Sequence, residues 1–311
     1  MLLELNTCRS QSLLERNAER ILGLVLRFSL GHVEGQERHL AKIRHFIELD
    51  QPIELVLPAF PAKSANREKT HGPLPDYAEV LGLERLQETC SAIKAIHAPG
   101  ARVLICSDGR VFSDLVLVEE THVTAYNAAI EEIAAEMGFT DLRTLGLEDV
   151  FGSASFASLR DKLVADFGRP VEEIRAETFS CLSARSMFNG IHRFLFEDRA
   201  LLEPLKSRNR VREESKQVAY QVIQRSNAWS SLVEKLFPHA LRLSIHPQAP
   251  DSAKIGFQLV PCESVWGTPW HNVALLGASG FRLVKRKDAL DAGATLAYAR
   301  GKYAFYREAG L

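Results

Sequence analysis

Two histidines at the ends of predicted strands are the side chains best suited to proton transfer. His246 closes the apolar run RLSIHP, and His271 lies in the segment TPWHN. Each has a proline beside it or two residues before it, Pro247 and Pro269, which should stiffen the backbone there. An unperturbed imidazole has a pKa of about 6.5, so it can both accept and donate a proton near neutral pH. A lone histidine is more often a packing residue, and that alternative stays open for both.

A second group of candidates is basic and would suit an anionic ligand. The segment PAFPAKSANREK follows a predicted strand and carries Lys63, Arg67 and Lys69. Cations on a proline-stiffened loop at a strand end are a candidate seat for a phosphate or a sugar phosphate. The alternative is a solvated charged loop, since charged residues are mostly exposed.

Two predicted helices also carry polar rows. In RSMFNGIHRFLFED, residues four apart place Arg185, Asn189 and Arg193 on one face, which could line a pocket for a carboxylate or phosphate. In AYQVIQRSNAW, Arg225 and Trp229 share a face in the same way. The first row is equally compatible with the solvated face of an amphipathic helix, and an arginine beside aromatic rings is more often structural than catalytic.

Several familiar chemistries lack their motifs in this chain. No G-x-G-x-x-G or G-x-x-x-x-G-K-[ST] follows a predicted strand, and neither H-E-x-x-H nor G-x-S-x-G occurs, so nucleotide, zinc-protease and serine-hydrolase signatures are absent. The five cysteines are dispersed without a C-x-x-C pair, which is typical of a reducing compartment.

Composition excludes further classes of protein. The 38 basic and 39 acidic residues give a net charge of −1, without the basic excess that a nucleic-acid-binding protein would show. The N-terminus shows no signal peptide, and no apolar run is long enough to span a membrane. We therefore expect a cytoplasmic protein with no nucleic-acid or membrane partner.

The elements that must position these residues alternate between strands and helices. Apolar runs at 53–57, 103–107 and 142–147 predict buried strands, with helices at about 76–97 and 120–137 between them. Asp76, with Glu79 three residues later, predicts a capping box at the start of the first of these helices. This alternation predicts a parallel sheet with right-handed crossovers, in which ligands bind beyond the carboxyl ends of the strands. Short strands follow from residue 241.

The predicted fold class is α/β: a Rossmann-like parallel sheet with a helical insert and antiparallel C-terminal strands. We expect a single catalytic domain over residues 1–311. Its predicted parts are N-terminal helices at 1–50, a Rossmann-like βαβ part at 51–150, a helical part at 151–240 and C-terminal strands at 241–311.

An ordered set of segments resembles the isonitrile (isocyanide) synthases, also called the pyoverdine/dityrosine biosynthesis family. The set comprises LPAFPAKSAN, SDGRVFSD, AYQVIQRSNAW, RLSIHP, KIGFQL and TPWHNV, and it spans most of the chain from about residue 53 to 308. The resemblance implies a Rossmann-like enzyme that joins the amine of L-tyrosine or L-tryptophan to C2 of ribulose 5-phosphate. That carbon becomes the isonitrile carbon of the 2-isocyano acid, and the rest of the sugar leaves as small fragments and phosphate.

The resemblance also implies a cofactor-independent carbon–carbon lyase that needs no metal. An iron/2-oxoglutarate-dependent oxygenase would process the product, and a homodimer is a further expectation. Proton transfer is assigned to His246, His271 and Asp114. Substrate binding is assigned to basic, polar and aromatic side chains that can meet a phosphate, a carboxylate or an aromatic ring: Lys63, Arg185, Asn189, Arg193, Arg225, Ser226, Lys254, Trp229 and Trp270.

Two other functions remain open on the sequence alone. A sugar-phosphate lyase or aldolase could use a Schiff-base lysine, for which Lys63 is the candidate. A non-enzymatic small-molecule-binding protein is also compatible with the composition. The polar clusters at predicted strand ends favour an enzyme, because a scaffold has no need of them.

Overall fold

The computed structural model describes the backbone of residues 2–310 and the side chains of residues 12–310. Cys8 therefore lies outside the described side chains. The described cysteines are free thiols, namely Cys90, Cys106, Cys181 and Cys262. Within the described residues, no helix combines the length and apolarity needed to cross a membrane.

The first sheet is parallel and has the strand order β3-β2-β1-β4-β5. Its strands are β1 (Ile53–Pro58), β2 (Ala101–Cys106), β3 (Leu142–Leu145), β4 (Leu241–Ser244) and β5 (Lys254–Gly256). The strands predicted at 53–57, 103–107 and 142–147 are thus present, within a few residues at each end. β4 and β5 join this sheet although the sequence groups them with the C-terminal extension. Both lie on the far side of β1, where only long-range pairing could place them.

Helices cover both faces of this sheet. On one face pack α1 (Leu2–Leu26), α2 (Glu37–Glu48), α3 (Tyr77–Lys94) and α5 (Glu120–Glu136), around the larger hydrophobic core. The capping box predicted at the start of α3 is present, with Asp76 accepting from the backbone of Ala78 and Glu79 accepting from the backbone of Asp76. This box fixes the end of the loop that follows β1.

The opposite face carries the helical insert. It comprises α4 (Gly109–Phe112), α6 (Leu147–Phe151), α7 (Phe156–Phe167), α8 (Val171–Ser180), α9 (Leu182–Leu202) and α10 (Arg208–Leu236). α7 and the C-terminal half of α10 close a second core against the sheet, and α8 and α9 pack on α10.

The C-terminal strands form a second sheet with the order β7-β6-β9-β8. It contains β6 (Val273–Gly277), β7 (Gly280–Val284), β8 (Thr295–Ala299) and β9 (Tyr303–Arg307), with α11 (Arg286–Asp291) between β7 and β8. The β6–β7 and β8–β9 pairs are antiparallel as expected, whereas β6 and β9 are parallel. A short 3₁₀ turn, Pro269–His271, precedes β6 and carries the second histidine.

The predicted fold class is confirmed: a five-stranded parallel sheet, a helical insert and a second, mixed sheet.

Candidate functional site

The strand order creates a crevice between β1 and β4. From β1 the chain moves to β2 and β3 on one side, whereas β4 and β5 lie on the other side. In open parallel sheets the loops diverge at such a reversal and ligands bind between them, beyond the carboxyl ends of the strands. The segments that follow β1, β2, β4 and β5 therefore define the candidate site.

His246 lies at this edge, two residues past the end of β4. Its Nδ1 atom is buried without a hydrogen-bond partner, and its ring centroid lies 5.0 Å from that of Trp266. Burial lowers the pKa of His246 to about 4, so the imidazole is neutral at pH 7. A neutral ring with an unused nitrogen can bind or deprotonate a ligand.

His271 lies close to His246, at the end of the 3₁₀ turn. Its Nδ1 is 3.2 Å from the hydroxyl of Thr268, which leaves Nε2 for another partner. Burial lowers the pKa of His271 to about 4, helped by the positive charge of Lys69 and by His246 and opposed by Asp198. The structure thus brings the two histidines predicted from the sequence into one neighbourhood.

Aromatic rings surround this pair. Phe194 of α9 lies 5.3 Å from His271 between ring centroids, and Trp270 lies 6.5 Å from His271. Trp270 is 3% exposed and packs on Phe60, 5.4 Å away, so its indole belongs to the wall behind the histidine. Trp266 is 41% exposed, faces α9 at Gly190 and is the ring most accessible to a ligand.

A basic cavity is lined by Lys69, whose positive charge also acts on His271. It has a volume of about 530 Å³ and lies between the loop after β1, α9, the start of α10 and the start of α11. Five cations line it against three carboxylates: Lys69, Lys206, Arg208, Lys285 and Lys287 against Glu68, Glu197 and Asp288. Arg208 sits at the first position of α10, where the helix dipole adds positive potential.

Most of these cations are paired with a carboxylate, and one is not. The Nζ atoms of Lys69 and Lys285 lie 3.4 and 3.1 Å from the same oxygen of Glu197, and Lys206 pairs with Glu203 at 2.6 Å. The guanidinium of Arg208 has no ion pair among the described side chains and lies 5.5 Å above the ring of Phe196. Arg208 is therefore the lining cation most available to an incoming anion.

Lys63 is occupied by other partners and does not line this cavity. Its fully buried Nζ lies 2.9 Å from Asp76 and 2.9 Å from Glu79, and it donates to the carbonyls of Pro269 and Asn272 at 2.9 and 3.2 Å. In this geometry the ammonium has no free direction for a phosphate. It instead joins the loop after β1 to the start of α3 and to the turn that carries His271.

The two carboxylates that contact Lys63 form a closed network of their own. Burial raises the pKa of Glu79 to about 7, an effect that Lys63 opposes. The hydroxyl of Tyr126 donates to Glu79 at 3.2 Å, and burial with the nearby carboxylate raises the pKa of Tyr126. Every polar group here has a partner within the chain, which indicates a positioning role.

Asp114 and Arg225 pair with each other. The guanidinium of Arg225 donates to Asp114 at 2.7 Å and to the carbonyl of Val111 at 3.1 Å. Arg160 also approaches Asp114, at 3.4 Å. This cluster ties α10 and α7 to the segment after β2, so neither predicted residue projects toward the two histidines as an unpaired group.

Three further predicted residues belong to α10 and β5. Trp229 is 1% exposed, belongs to the second core and donates from its indole to the carbonyl of Cys106 at 3.2 Å. Ser226 lies half-buried one turn before it on α10. Lys254 opens β5, at the amino end of the sheet, and donates to Ser230 at 2.7 Å, while burial lowers the pKa of Lys254 to about 8.

The polar row of α9 is present but is largely engaged or exposed. Arg185 donates at 3.3 Å to the carbonyl of Thr178, at the end of α8. Arg193 is 81% exposed and lies 3.3 Å from Glu197, and Asn189 is exposed between them. The three residues share a helix face as predicted, outside the buried histidine pair.

A sequence model of the pyoverdine/dityrosine biosynthesis protein family matches residues 43–296. That range contains the loop after β1, both histidines and every helix of the insert. The chain belongs to this family. The resemblance of the ordered segments is thereby confirmed.

Among characterised relatives are isonitrile synthases with two amino-acid specificities. The chain is 46% identical over 268 residues to the L-tryptophan isonitrile synthase AmbI2 of Fischerella ambigua, covering 86% of this chain and 81% of that protein. It is 40% identical over 276 residues to an L-tyrosine isonitrile synthase of Pseudomonas aeruginosa, covering 88% and 84%.

A solved structure of the family has the same fold. The crystal structure of PvcA from Pseudomonas aeruginosa superimposes with a TM-score of 0.88 at 37% identity, covering 94% of this chain and 99% of that chain. This chain thus shares its overall fold with that structure. Named isonitrile synthases among the relatives indicate that this member is an enzyme of that type.

Sequence patterns miss two features of this family member's site. Lys206, Arg208, Lys285 and Lys287 join Lys69 only through the tertiary fold, because they come from the α9–α10 junction and from the region around α11. Asp108, two residues past β2, has a buried carboxylate oxygen without a hydrogen bond. Its place in SDGRVFSD, directly after a buried strand, is the signal that could have identified it.

No three histidine, cysteine or acidic side chains among the described residues lie close enough together to hold a metal ion. Whether the family member needs any cofactor is a question of activity and stays a prediction.

Proposed function

We propose that this chain is an isonitrile synthase that joins the α-amine of an aromatic L-amino acid to C2 of ribulose 5-phosphate. It releases the 2-isocyano acid, with the remaining sugar carbons and phosphate as small products. The observation that carries the proposal is a pair of neutral histidines among aromatic rings, together with a basic cavity whose Lys69 also acts on His271. The named relatives supply the reaction class.

Tryptophan is the amino acid that we expect. The chain is 46% and 45% identical to two L-tryptophan isonitrile synthases, against 40% and 39% for two L-tyrosine isonitrile synthases. The walls near the histidines are flat and apolar, as an indole requires, with Trp266 and Phe194 as candidate contacts. We therefore propose tryptophan first and tyrosine as the alternative substrate.

We place the sugar phosphate in the basic cavity. A phosphate dianion requires two or more cations, preferably with an arginine for bidentate contacts. Arg208 and Lys287 can approach such a group, while Lys69 and Lys285 would exchange part of their interaction with Glu197 for it. Because Lys69 also influences His271, a phosphate there would hold the sugar chain beside the histidines.

The histidines suit the first steps of such a reaction. The neutral amine attacks the C2 ketone to give a carbinolamine, which loses water as the C=N bond forms. His246 and His271 are neutral at pH 7 because burial lowers their pKa values to about 4. Each can accept a proton, and an imidazolium with so low a pKa returns that proton readily to a departing oxygen.

The remaining predictions belong to the same proposal. We propose a lyase that works without metal or organic cofactor in the cytoplasm, as a homodimer, and that passes its product to an iron/2-oxoglutarate-dependent oxygenase. Activity that survives exhaustive chelation would support cofactor independence, and activity restored by a single transition metal would contradict it.

Isotope labelling tests the proposal. The purified chain is incubated with ¹⁵N-tryptophan or ¹⁵N-tyrosine and ribulose 5-phosphate labelled with ¹³C at C2, and the product is analysed by mass spectrometry and NMR. We expect one ¹³C bonded to ¹⁵N as an isonitrile. Unphosphorylated ribulose is the control and should react poorly. A product without the label, or a borohydride-trapped lysine adduct of the sugar alone, would favour the aldolase.

A further inference from the structure

Two titratable groups occupy equivalent positions on either side of the central strand. Cys106, the last residue of β2, pairs with Pro58 of β1. β4 pairs with β1 at Leu55–Leu241 and Val56–Arg242, and continuing that register brings Ser244, the last residue of β4, level with Pro58 as well. Asp108 and His246 each follow two residues later.

Each of the two partly exposed residues has one buried atom that lacks a hydrogen-bond partner among the described residues. Most other buried polar atoms that lack a hydrogen bond belong to ion pairs, as those of Asp76, Arg110, Arg199 and Glu203 do. Asp108 Oδ1 and His246 Nδ1 have neither a hydrogen bond nor an ion pair among the described residues. The other such histidine, His39, lies on α2, far from the crevice. Unmatched polar atoms in a closed site are the pattern expected of groups that meet a ligand.

The backbone holds Asp108 firmly at the crevice. The hydroxyl of Ser107 donates to the carbonyl of Phe60 at 3.2 Å, which joins the loops that follow β2 and β1. Gly109 packs so closely on Pro61 that an added Cβ would overlap its carbonyl oxygen, so only glycine fits there. Asp108 lies between these two contacts, which fix its backbone.

Burial shifts the pKa values of the two groups in opposite directions. Burial raises the pKa of Asp108 to about 7, against a smaller opposing effect of its own backbone N–H, whereas burial lowers the pKa of His246 to about 4. Near pH 7 a large fraction of Asp108 is therefore a neutral acid, while His246 is a neutral base. Asp108 can therefore supply a proton and His246 can accept one.

The distance between Asp108 and His246 leaves room for a substrate between the two residues. Two neighbouring strand spacings amount to about 10 Å, too far for Asp108 and His246 to bond directly. We propose that Asp108 is a second proton-transfer residue of the site, acting on the substrate from the β2 side of β1 while His246 acts from the β4 side. This inference rests on the proposed condensation of an amine with a ketone.

In the dehydration step, Asp108 gives up one proton and His246 accepts another. Asp108 donates its proton to the hydroxyl of the carbinolamine, the C–O bond breaks, and water leaves as the nitrogen lone pair forms the C=N bond. His246 accepts the N–H proton of the resulting iminium. The products are a neutral imine, water, the Asp108 carboxylate and the His246 imidazolium, so atoms and charge balance. In the later steps a proton passes from the His246 imidazolium back to the Asp108 carboxylate, which restores both groups.

The test compares Asp108→Asn with wild type in single turnovers over pH 5.5–9. A control, Asp161→Asn, changes an exposed carboxylate of α7. Removing a general acid should lower the rate by about 10²–10⁴-fold. The wild-type rate should also fall as pH rises through about 7, where Asp108 loses its proton, and this limb should be absent in Asp108→Asn but present in the control.

A second variant and a second measurement keep the test decisive even if Asp108→Asn fails to fold. Asp108→Glu keeps the carboxyl group and should recover part of the rate together with the alkaline limb, which a merely structural role would not produce. Normal rates in Asp108→Asn, or an unchanged alkaline limb there, overturn the role of Asp108 while the wild type still makes isonitrile. A wild type that makes no isonitrile overturns the proposed function and this role with it.

Discussion

Two buried polar clusters lie at the same edge of the parallel sheet and differ in how completely their groups are matched. In the cluster around Lys63, the ammonium has four acceptors, two of them carboxylates, and Tyr126 completes the coordination of Glu79. In the crevice, Asp108 Oδ1 and His246 Nδ1 have no partner within the described chain.

The difference separates positioning from chemistry. A buried charge that is fully paired contributes by fixing geometry, and here it joins the loop after β1 to the turn of His271. A buried group that is left unmatched lowers stability, since each such group costs about 1–3 kcal/mol. Proteins keep such groups where a ligand completes them, so we assign substrate chemistry to the crevice and not to Lys63.

The largest expected effect is on stability at Lys63. Lys63→Ala leaves Asp76 and Glu79 buried without their cation, and breaking a buried pair in this way typically costs about 3–5 kcal/mol of unfolding free energy. Urea unfolding measures it, with Lys162→Ala on the exposed face of α7 as a control that should change it little. If Lys63→Ala is as stable as wild type but binds the sugar phosphate more weakly, then Lys63 binds the phosphate. The roles assigned to the two clusters would then be wrong.

The next effect concerns the anion in the basic cavity. Arg208→Ala should weaken ribulose 5-phosphate binding by about 1.5–3 kcal/mol, the usual value of a charge-assisted hydrogen bond, with little change in melting temperature. Calorimetric titration measures the affinity, and titration with unphosphorylated ribulose controls for contacts to the sugar. Equal affinities in Arg208→Ala and wild type would place the phosphate elsewhere.

A pH-dependent effect on stability should appear at Asp108. Its pKa is about 7 in the folded protein and about 3.9 when exposed, so its contribution is fully present below about pH 4 and is lost as pH rises from there to about 7. Asp108→Asn removes that loss and should be more stable than wild type at pH 8 by about 1–3 kcal/mol, with a smaller gain at pH 5. Denaturant unfolding at both values measures this. A gain independent of pH would mean that Asp108 is already ionised or solvated.

The smallest effect is expected on the outer face of α9. Arg193 is 81% exposed and, among the described residues, forms an ion pair with Glu197 alone, so Arg193→Ala should change stability by about 0–1 kcal/mol. Its sugar-phosphate affinity should also stay close to that of wild type. A loss as large as that of Arg208→Ala would show that α9 moves to bring Arg193 into the cavity.

The sequence predicts the local parts of this molecule well. Alternating apolar runs and a capping box predict β1, β2, β3 and α3, because these patterns depend on neighbours within one or two turns. His246 and His271 could also be singled out, since each stands at the end of a short strand-like run beside a proline. Both lie at the site, close to one another.

Features that depend on long-range pairing could not be predicted. The cations of the cavity come from three separate segments, and nothing near Arg208 indicates that α11 will face it. Lys63 has the pattern of a phosphate-binding lysine, but its partners Asp76 and Asn272 lie 13 and 209 residues away. Asp114 and Arg225 are both polar residues of recognisable segments, and only the packing of α10 shows that they neutralise each other.

The most direct test of the account pairs thermal melts with single-turnover rates for His246→Asn. Because Nδ1 of His246 has no partner to lose, the variant should melt at the wild-type temperature or above it. Its rate of isonitrile formation should fall by about 10²–10⁴-fold, as expected when a proton-transfer group is removed. A lower melting temperature with an unchanged rate per folded molecule would contradict the account, because it would make His246 a packing residue.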